Sequence, residues 1–196
     1  PQSGETLLID APDAAVIQAA LDQRGWRLSH LFVTHHHTDH TGGVVALKEK
    51  YGCSVAGPEG EADRIPLIDQ AVSEKTTLKF ADLDVHVIET PGHTLGHIAY
   101  VIPSVKVAFT GDTLFSLGCG RIFEGDAQGM WASIQKLKAL PSDTEIFCGH
   151  EYTAANGRFA LSVEPENEAL RARVREVEAL RSQGKPTLPT TLAAEL

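Results

Sequence analysis

The amino-acid sequence predicts a mixed core of strands and helices, α/β or α+β, carrying a helical cap. Three observations lead there. Strand-like and helix-like segments alternate from Thr6 to Cys148, the pattern turns to helix alone after His150, and His and Asp residues fall at the ends of the apolar strands. A chain of 196 residues is long enough for one buried core with a small appendage.

Thr6–Asp10 reads as a strand. Asp13 then caps an amphipathic helix with Val16, Ile17, Ala20 and Leu21 on one face, and Gly25 closes it. The apolar run His30–Thr34 reads as a short strand, followed by a histidine cluster and a helix over Gly43–Tyr51 stopped by Gly52. Cys53–Ala56 is a further strand. Residues 57–74, with Pro58, Gly60 and Pro66, lack periodicity and read as a surface excursion. Leu78–Phe80 and Leu83–Thr90 suggest a hairpin with Val85 and Val87 facing the core and His86 opposite. Ile98–Ile102 and Val105–Thr110 read as neighbouring strands separated by a Pro-Ser turn. Met130, Ile134 and Leu137 have helical spacing, and Glu145–Cys148 is the last strand. Beyond it Leu170, Val174, Val177 and Leu180 recur three or four apart, and Gly184 ends that helix. The change of pattern puts a boundary near Glu151, dividing the chain into residues 1–150 and 151–196.

Composition narrows the function classes. Lys and Arg total 17 against 26 Asp and Glu, a formal charge of −9. A nucleic-acid groove needs a clustered basic face, so no nucleic-acid partner is expected. An anionic small substrate stays open, because a few local cations or a metal dominate a single pocket. No segment has the ~20 apolar residues needed to span a bilayer, and no basic-then-apolar leader precedes the first strand, so no membrane partner is expected. Cys53, Cys119 and Cys148 are odd in number and form no C-x-x-C pair, which fits a reducing, cytoplasmic setting. Cys119 and Cys148 read as small buried packing residues. The opening at Pro1 reads as the middle of a longer chain, and a monomer is expected.

The chemistry concentrates in Thr34-His35-His36-His37-Thr38-Asp39-His40, directly after an apolar strand. In extended backbone His35 and His37 point the same way and His36 the other. Asp39 and His40 follow where the chain turns into a helix and converge from another direction. Three partners stand at later strand ends: His93 in TPGHTLGH, Asp112 in FTGDTLF and His150 in FCGHEYT. Imidazoles and carboxylates are the donor set for Zn²⁺ and similar ions. Seven groups exceed one tetrahedral ion and suit two, with His35, His37 and His93 on the first, Asp39, His40 and His150 on the second, and Asp112 bridging. Two ions so held leave room for a bridging water made nucleophilic near neutral pH. A packing explanation serves for His30 and His86 taken singly; it does not serve for the cluster. His36 is expected to support the ligands from behind or to be structural, and His97, four residues after His93, to orient a ligand by hydrogen bonding.

The strings THHHTDH, GHT, GDTLF and CGHEYT together resemble the metallo-β-lactamase superfamily. GDTLFSLGCGRIFEGDAQGMW and CGHEYTAANGRFALSVEPEN are similar, more narrowly, to glyoxalase II, the hydroxyacylglutathione hydrolases, over about Thr34 to Leu192. That resemblance implies an α+β fold, an αββα four-layer sandwich, with a catalytic domain over 1–150 and an incomplete C-terminal helical substrate-binding domain over 151–196. It implies hydrolysis of S-D-lactoylglutathione to D-lactate and glutathione by a metal-bridged hydroxide, in methylglyoxal detoxification. Two divalent ions are implied, Zn foremost and Fe or Mn next. Asp39 and Asp112 would serve catalysis as well as ligation. The resemblance also places Arg121 of the GCGR turn, Phe123, Tyr152 and Asn156 against glutathione. Phe123 stands where the family often has tyrosine. Family members usually continue past TLAAEL with basic residues that grip glutathione, and they usually open with a strand not found here. Two alternatives are a single-iron persulfide dioxygenase of the same superfamily and a non-catalytic metal-binding protein.

Overall fold

Alternate residues of the strands face different neighbours, and that alternation builds the layers. In the computed structural model, which describes residues 4–196, Leu31 and Val33 join one apolar cluster while Phe32 between them joins another. Val55 and Ala56 divide the same way. Period-two segregation of this kind is what a sheet covered on both faces requires.

The first sheet holds β1 (Leu7–Ile9), β2 (His30–Phe32), β3 (Ser54–Pro58) and β4 (Gln70–Val72), all parallel and in that order. The helices α1 (Ala14–Arg24) and α3 (Val44–Tyr51) make the crossovers. Leu21, Val44 and Leu47 bury against Leu31, Val33 and Val55 on its outer face. Asp13 caps α1 by accepting from the Ala15 and Val16 amides, and left-handed Gly25 and Gly52 stop the two helices. Val16 is solvent-exposed, so the buried stripe of α1 runs through Ile17 and Leu21 without it.

The second sheet has the order β12-β11-β8-β7-β6-β5. It comprises β5 (Thr77–Phe80), β6 (Leu83–Glu89), β7 (Ile98–Ile102), β8 (Val107–Gly111), β11 (Glu145–Cys148) and β12 (Thr190–Thr191). Strands β5 to β8 are antiparallel neighbours, β8 and β11 are parallel, and β12 is antiparallel to β11. Val85 and Val87 are buried and His86 exposed, as the alternation predicts. Tyr100 and Ile102 face the first sheet, and the Tyr100 hydroxyl donates to the Val33 carbonyl at 2.8 Å across the gap. Val101, Ala108 and Ile146 face the far side with Leu140, which follows α4 (Ala127–Lys138). The layers are therefore helix, sheet, sheet, helix. Helices α5 (Thr153–Val163) and α6 (Glu168–Ser182) pack together through Gly157 and buried Val174.

Two expectations need correcting. Residues 57–74 are not a featureless excursion: β3 runs on to Pro58, a 3₁₀ turn spans Glu59–Arg64, and β4 returns to pair with β3. Strands this short leave no periodicity to read. The chain after His150 is not helix alone, because β12 joins the second sheet and Leu192 enters its core.

Candidate metal centre

Strand direction decides what converges. Strands β6 and β8 both run antiparallel to β7, and β8 runs parallel to β11, so β6, β8 and β11 all end at one edge. His93, Asp112 and His150 lie just past those three ends. The segment after β2 reaches the same edge, where the Ile98 amide donates to the Thr34 carbonyl at 3.0 Å. It carries His35 and His37, and the short helix α2 (Thr38–Thr41) supplies Asp39 and His40.

The nitrogens and oxygens of these seven side chains point at one another. His35 Nε2 lies 3.1 Å from His37 Nδ1, which lies 3.0 Å from His93 Nε2. His40 Nε2 and His150 Nε2 are 3.3 Å apart, with Asp39 Oδ2 3.4 Å from the latter and 3.9 Å from the former. Between the groups lies Asp112, Oδ1 3.4 Å from His40 Nε2 and Oδ2 3.4 and 3.2 Å from His93 and His150 Nε2. Gly149 makes this approach possible: a Cβ there would come within 2.4 Å of Asp112 Oδ1 and 2.7 Å of the His40 ring.

Each of three histidines spends its other ring nitrogen on a fixed partner. Thr34 Oγ1 donates to Asp10 Oδ2 and so receives the His35 Nδ1 proton at 3.0 Å. His40 Nδ1 donates to Asp10 Oδ2 at 2.7 Å, and His93 Nδ1 to the Arg121 carbonyl at 2.7 Å. Assigned from these partners, the tautomers leave every Nε2 lone pair aimed into the cluster. His97, fully buried, accepts the Asp112 amide on Nε2 at 3.0 Å and meets Thr90 Oγ1 at 2.7 Å through Nδ1. It orients a member of the cluster, as its position in GHTLGH suggests.

The comparisons with known proteins fall on this same architecture. Residues 2–150 match the family model of the metallo-beta-lactamase superfamily, and 151–196 match that of the hydroxyacylglutathione hydrolase C-terminus. A hydroxyacylglutathione hydrolase of Rhizobium johnstonii is 53% identical over 195 residues, covering all of this chain and 76% of the relative. The chain belongs to the hydroxyacylglutathione hydrolase family. Among solved structures, the BLEG-1 B3 metallo-beta-lactamase is 25% identical with a TM-score of 0.71, over 76% of this chain and 83% of that one. TTHA1623 in a di-iron-bound form is 27% identical with a TM-score of 0.63, over 74% and 81%.

The residues suit the divalent metal binding of that superfamily. Asp112 Oδ1 is buried with no hydrogen-bond partner among the described residues, an expensive arrangement for a carboxylate unless a cation satisfies it. Nitrogens bound to one Zn²⁺ at about 2.0–2.1 Å sit roughly 3–3.4 Å apart, matching the spacings here. Electrostatics agree. Burial and then the neighbouring His97, His40 and His93 hold His35 far below its ordinary pKa; burial and then His93 lower His37 as well. Both therefore offer lone pairs at neutral pH. Burial alone would raise Asp112, but the His150 hydrogen bond and the charges of His40, His150 and His93 outweigh it and hold the carboxyl below its ordinary value.

Beside the cluster opens a cavity of 760 Å³, lined in part by Phe115, Cys119, Arg121, Phe123, Tyr152 and Asn156. Arg121 is the one Lys or Arg among the lining residues described. Its guanidinium lies 5.1 Å over the Phe123 ring, and that ring meets His93 edge-on at 5.2 Å. Tyr152 stacks on His150 at 4.8 Å, and the Asn156 amide donates to the Ser116 carbonyl at 3.1 Å, bracing the turn before Arg121. Cys119 is exposed on the cavity rim rather than buried, because the two-residue strands β9 (Leu114–Phe115) and β10 (Gly118–Cys119) form a hairpin too short to cover it. His30 packs edge-on to Phe32 and Phe80, and His36 bonds to buried Glu61.

Sequence reasoning passed over Asp10 and Glu61. Asp10 accepts from the Thr34 amide, the Thr34 hydroxyl and His40. Its signal was an aspartate at a strand end, the same that marked Asp112.

Proposed function

We propose that the chain hydrolyses S-D-lactoylglutathione to D-lactate and glutathione, with His35, His37 and His93 holding one divalent ion, Asp39, His40 and His150 a second, and Asp112 both. One observation carries the reading: seven His and Asp donors face one another around a buried carboxylate oxygen with no hydrogen-bond partner among the described residues, in the wall of a cavity whose described lining holds one Lys or Arg. Membership of the hydroxyacylglutathione hydrolase family supplies the substrate class.

Two such ions, when bound, make water nucleophilic near neutral pH and polarise a carbonyl. The chain's own groups do the rest. Asp112, kept ionised, presents its two oxygens to the two donor groups and so sets their separation. Asp39, an exposed member of the cavity lining, is placed to accept a proton as the water is consumed. Arg121 attracts the carboxylate of the glutathione glycine, with Phe123, Tyr152 and Asn156 walling the peptide. A free thiol has a pKa of about 8.5, so glutathione leaves as thiolate without a strong general acid. This fits the absence of any Lys or Glu from the described cavity lining.

The domain division at 150/151, a monomeric state, a cytoplasmic location and zinc as the resident metal belong to the same reading. The composition and free cysteines support the location, and the mixed His/Asp donor set supports zinc, with iron and manganese next. Among the described residues no helix is long and apolar enough to cross a membrane. The test is direct. Purified protein should hold about two metal ions per chain and release thiol from lactoylglutathione without oxygen. One iron per chain with oxygen uptake on glutathione persulfide would overturn the reading, and full metal occupancy without thioester turnover would leave only a binding protein.

A further inference from the structure

Glu61 is a carboxylate that the reaction does not use, yet it is only 2% exposed. It projects from the 3₁₀ turn Glu59–Arg64 into the space behind the histidine loop. Its Oε2 accepts the His36 amide at 2.7 Å and meets His36 Nδ1 at 2.8 Å. Its Oε1 accepts the Gly96 amide at 3.0 Å and the Thr94 hydroxyl in a short bond. Four donors therefore fill the acceptor capacity of one ionised carboxylate. Two come from the residue between His35 and His37, and two from the loop that follows His93.

The approach of the two loops leaves no slack. A Cβ on Gly96 would lie 2.5 Å from Glu61 Cγ and 3.0 Å from the Gly60 carbonyl carbon. Glu124 reinforces the tie from outside, accepting the Leu95 amide at 3.0 Å and Arg64 at 2.7 Å. No comparable bond runs from Glu61 to Asp39, His40 or His150 among the described residues.

We propose that Glu61 is a positioning residue for the first ion alone: it clamps the His36 backbone to the Thr94–Gly96 segment and so fixes the mutual placement of His35, His37 and His93. The inference rests on the ligand assignment of the preceding section. Outer partners of ligating histidines typically change metal affinity by about 10–100-fold, and Glu61 acts one bond further out, through backbone, on two ligand loops together.

The test is Co²⁺ titration of metal-stripped full-length protein, followed by absorption, for the wild type, H93A, E61Q and T94V. Glu61→Gln preserves size but turns an NH₂ toward donors, so at least one of the four loses its acceptor. Wild type should show two binding events and H93A should lose one. Glu61→Gln should weaken that same event by about tenfold or more and leave the other in place. Thr94→Val, which keeps the carboxylate and removes one donor, should weaken it less; it carries the test should E61Q fail to fold. Unchanged affinities, or equal weakening of both events in the folded variant, would overturn the proposal while the ligand assignment stands. Failure of wild type to show two events, or of H93A to lose one, would bring down the assignment and the proposal with it.

Discussion

His93 Nδ1 donates to the backbone carbonyl of Arg121 at 2.7 Å, so the turn proposed to meet the substrate also aims a proposed metal ligand. The bond uses the main chain of Arg121, while the guanidinium lies over the Phe123 ring in the cavity lining. In the proposed reaction, side chain and backbone of one residue would serve different parts.

Arg121→Ala therefore separates them. The carbonyl stays and His93 keeps its tautomer, so metal content and kcat should be nearly unchanged. KM for lactoylglutathione should rise by about tenfold or more, as loss of a charge-assisted contact made equally in ground and transition states predicts. Steady-state kinetics with metal analysis checks this, and an unchanged KM would remove Arg121 from the substrate contacts.

Asp112 is the common member of both donor groups, 3.2–3.4 Å from His40, His93 and His150. Asp112→Ala should abolish thioester hydrolysis and lower metal content well below two ions per chain. Elemental analysis of protein purified in metal-supplemented medium is the decisive measurement; full occupancy in the variant would refute the bridging assignment.

Asp10 accepts from His40 and twice from Thr34, which in turn accepts from His35. Asp10→Asn would set an NH₂ against these donors. Metal affinity should fall by about 10–100-fold, with activity restored in part by excess metal. Chelator competition reads the affinity, and equal affinities would show that Asp10 only braces the loop.

Acid should loosen the metal-free protein well above the carboxylate range. Burial, opposed by Asp112 and abetted by the other histidines, lowers His97 to about 3 from an ordinary 6.5. As pH falls through 6.5 the unfolded chain takes up a proton at His97 that the folded chain refuses until about 3. Stability therefore declines across that window, by at most about 1.4 kcal/mol per pH unit from this residue. His35 and His37 act in the same direction, while His40 and His150, raised by Asp10 and Asp112, act against it. His97→Gln should flatten the slope between pH 6.5 and 3 in urea titrations of stripped protein. An unaltered slope would mean that His97 ionises in the fold.

The convergent His and Asp cluster was legible because its chemistry is local and dense. THHHTDH cannot be explained by packing, and His93, Asp112 and His150 each follow an apolar run that ends in Gly or Thr. The two-faced burial of β2 and β7 was likewise legible in runs such as HLF and IAYVI. What escaped was structure without period. Strands β4 (Gln-Ala-Val) and β12 (Thr-Thr) are short and, unlike β2, lie in no apolar run that would mark them. Glu61 escaped because a glutamate among glycine and acidic neighbours resembles solvent-facing turn; only the folded positions of His36 and Thr94 disclose its partners.

The pairing of β12 with β11 bears on how the molecule is to be dissected. Thr190 and Thr191 sit beside Ile146 and Glu145, and Leu192 is 1% exposed in the cluster around Ile146. Cutting the chain after His150 would strip a neighbour from β11 and bare an apolar strip next to unpaired amides, the usual template for self-association. A fragment ending there is a poor specimen of residues 1–150. Its precipitation would report a lost border strand, not a requirement for the helices in catalysis.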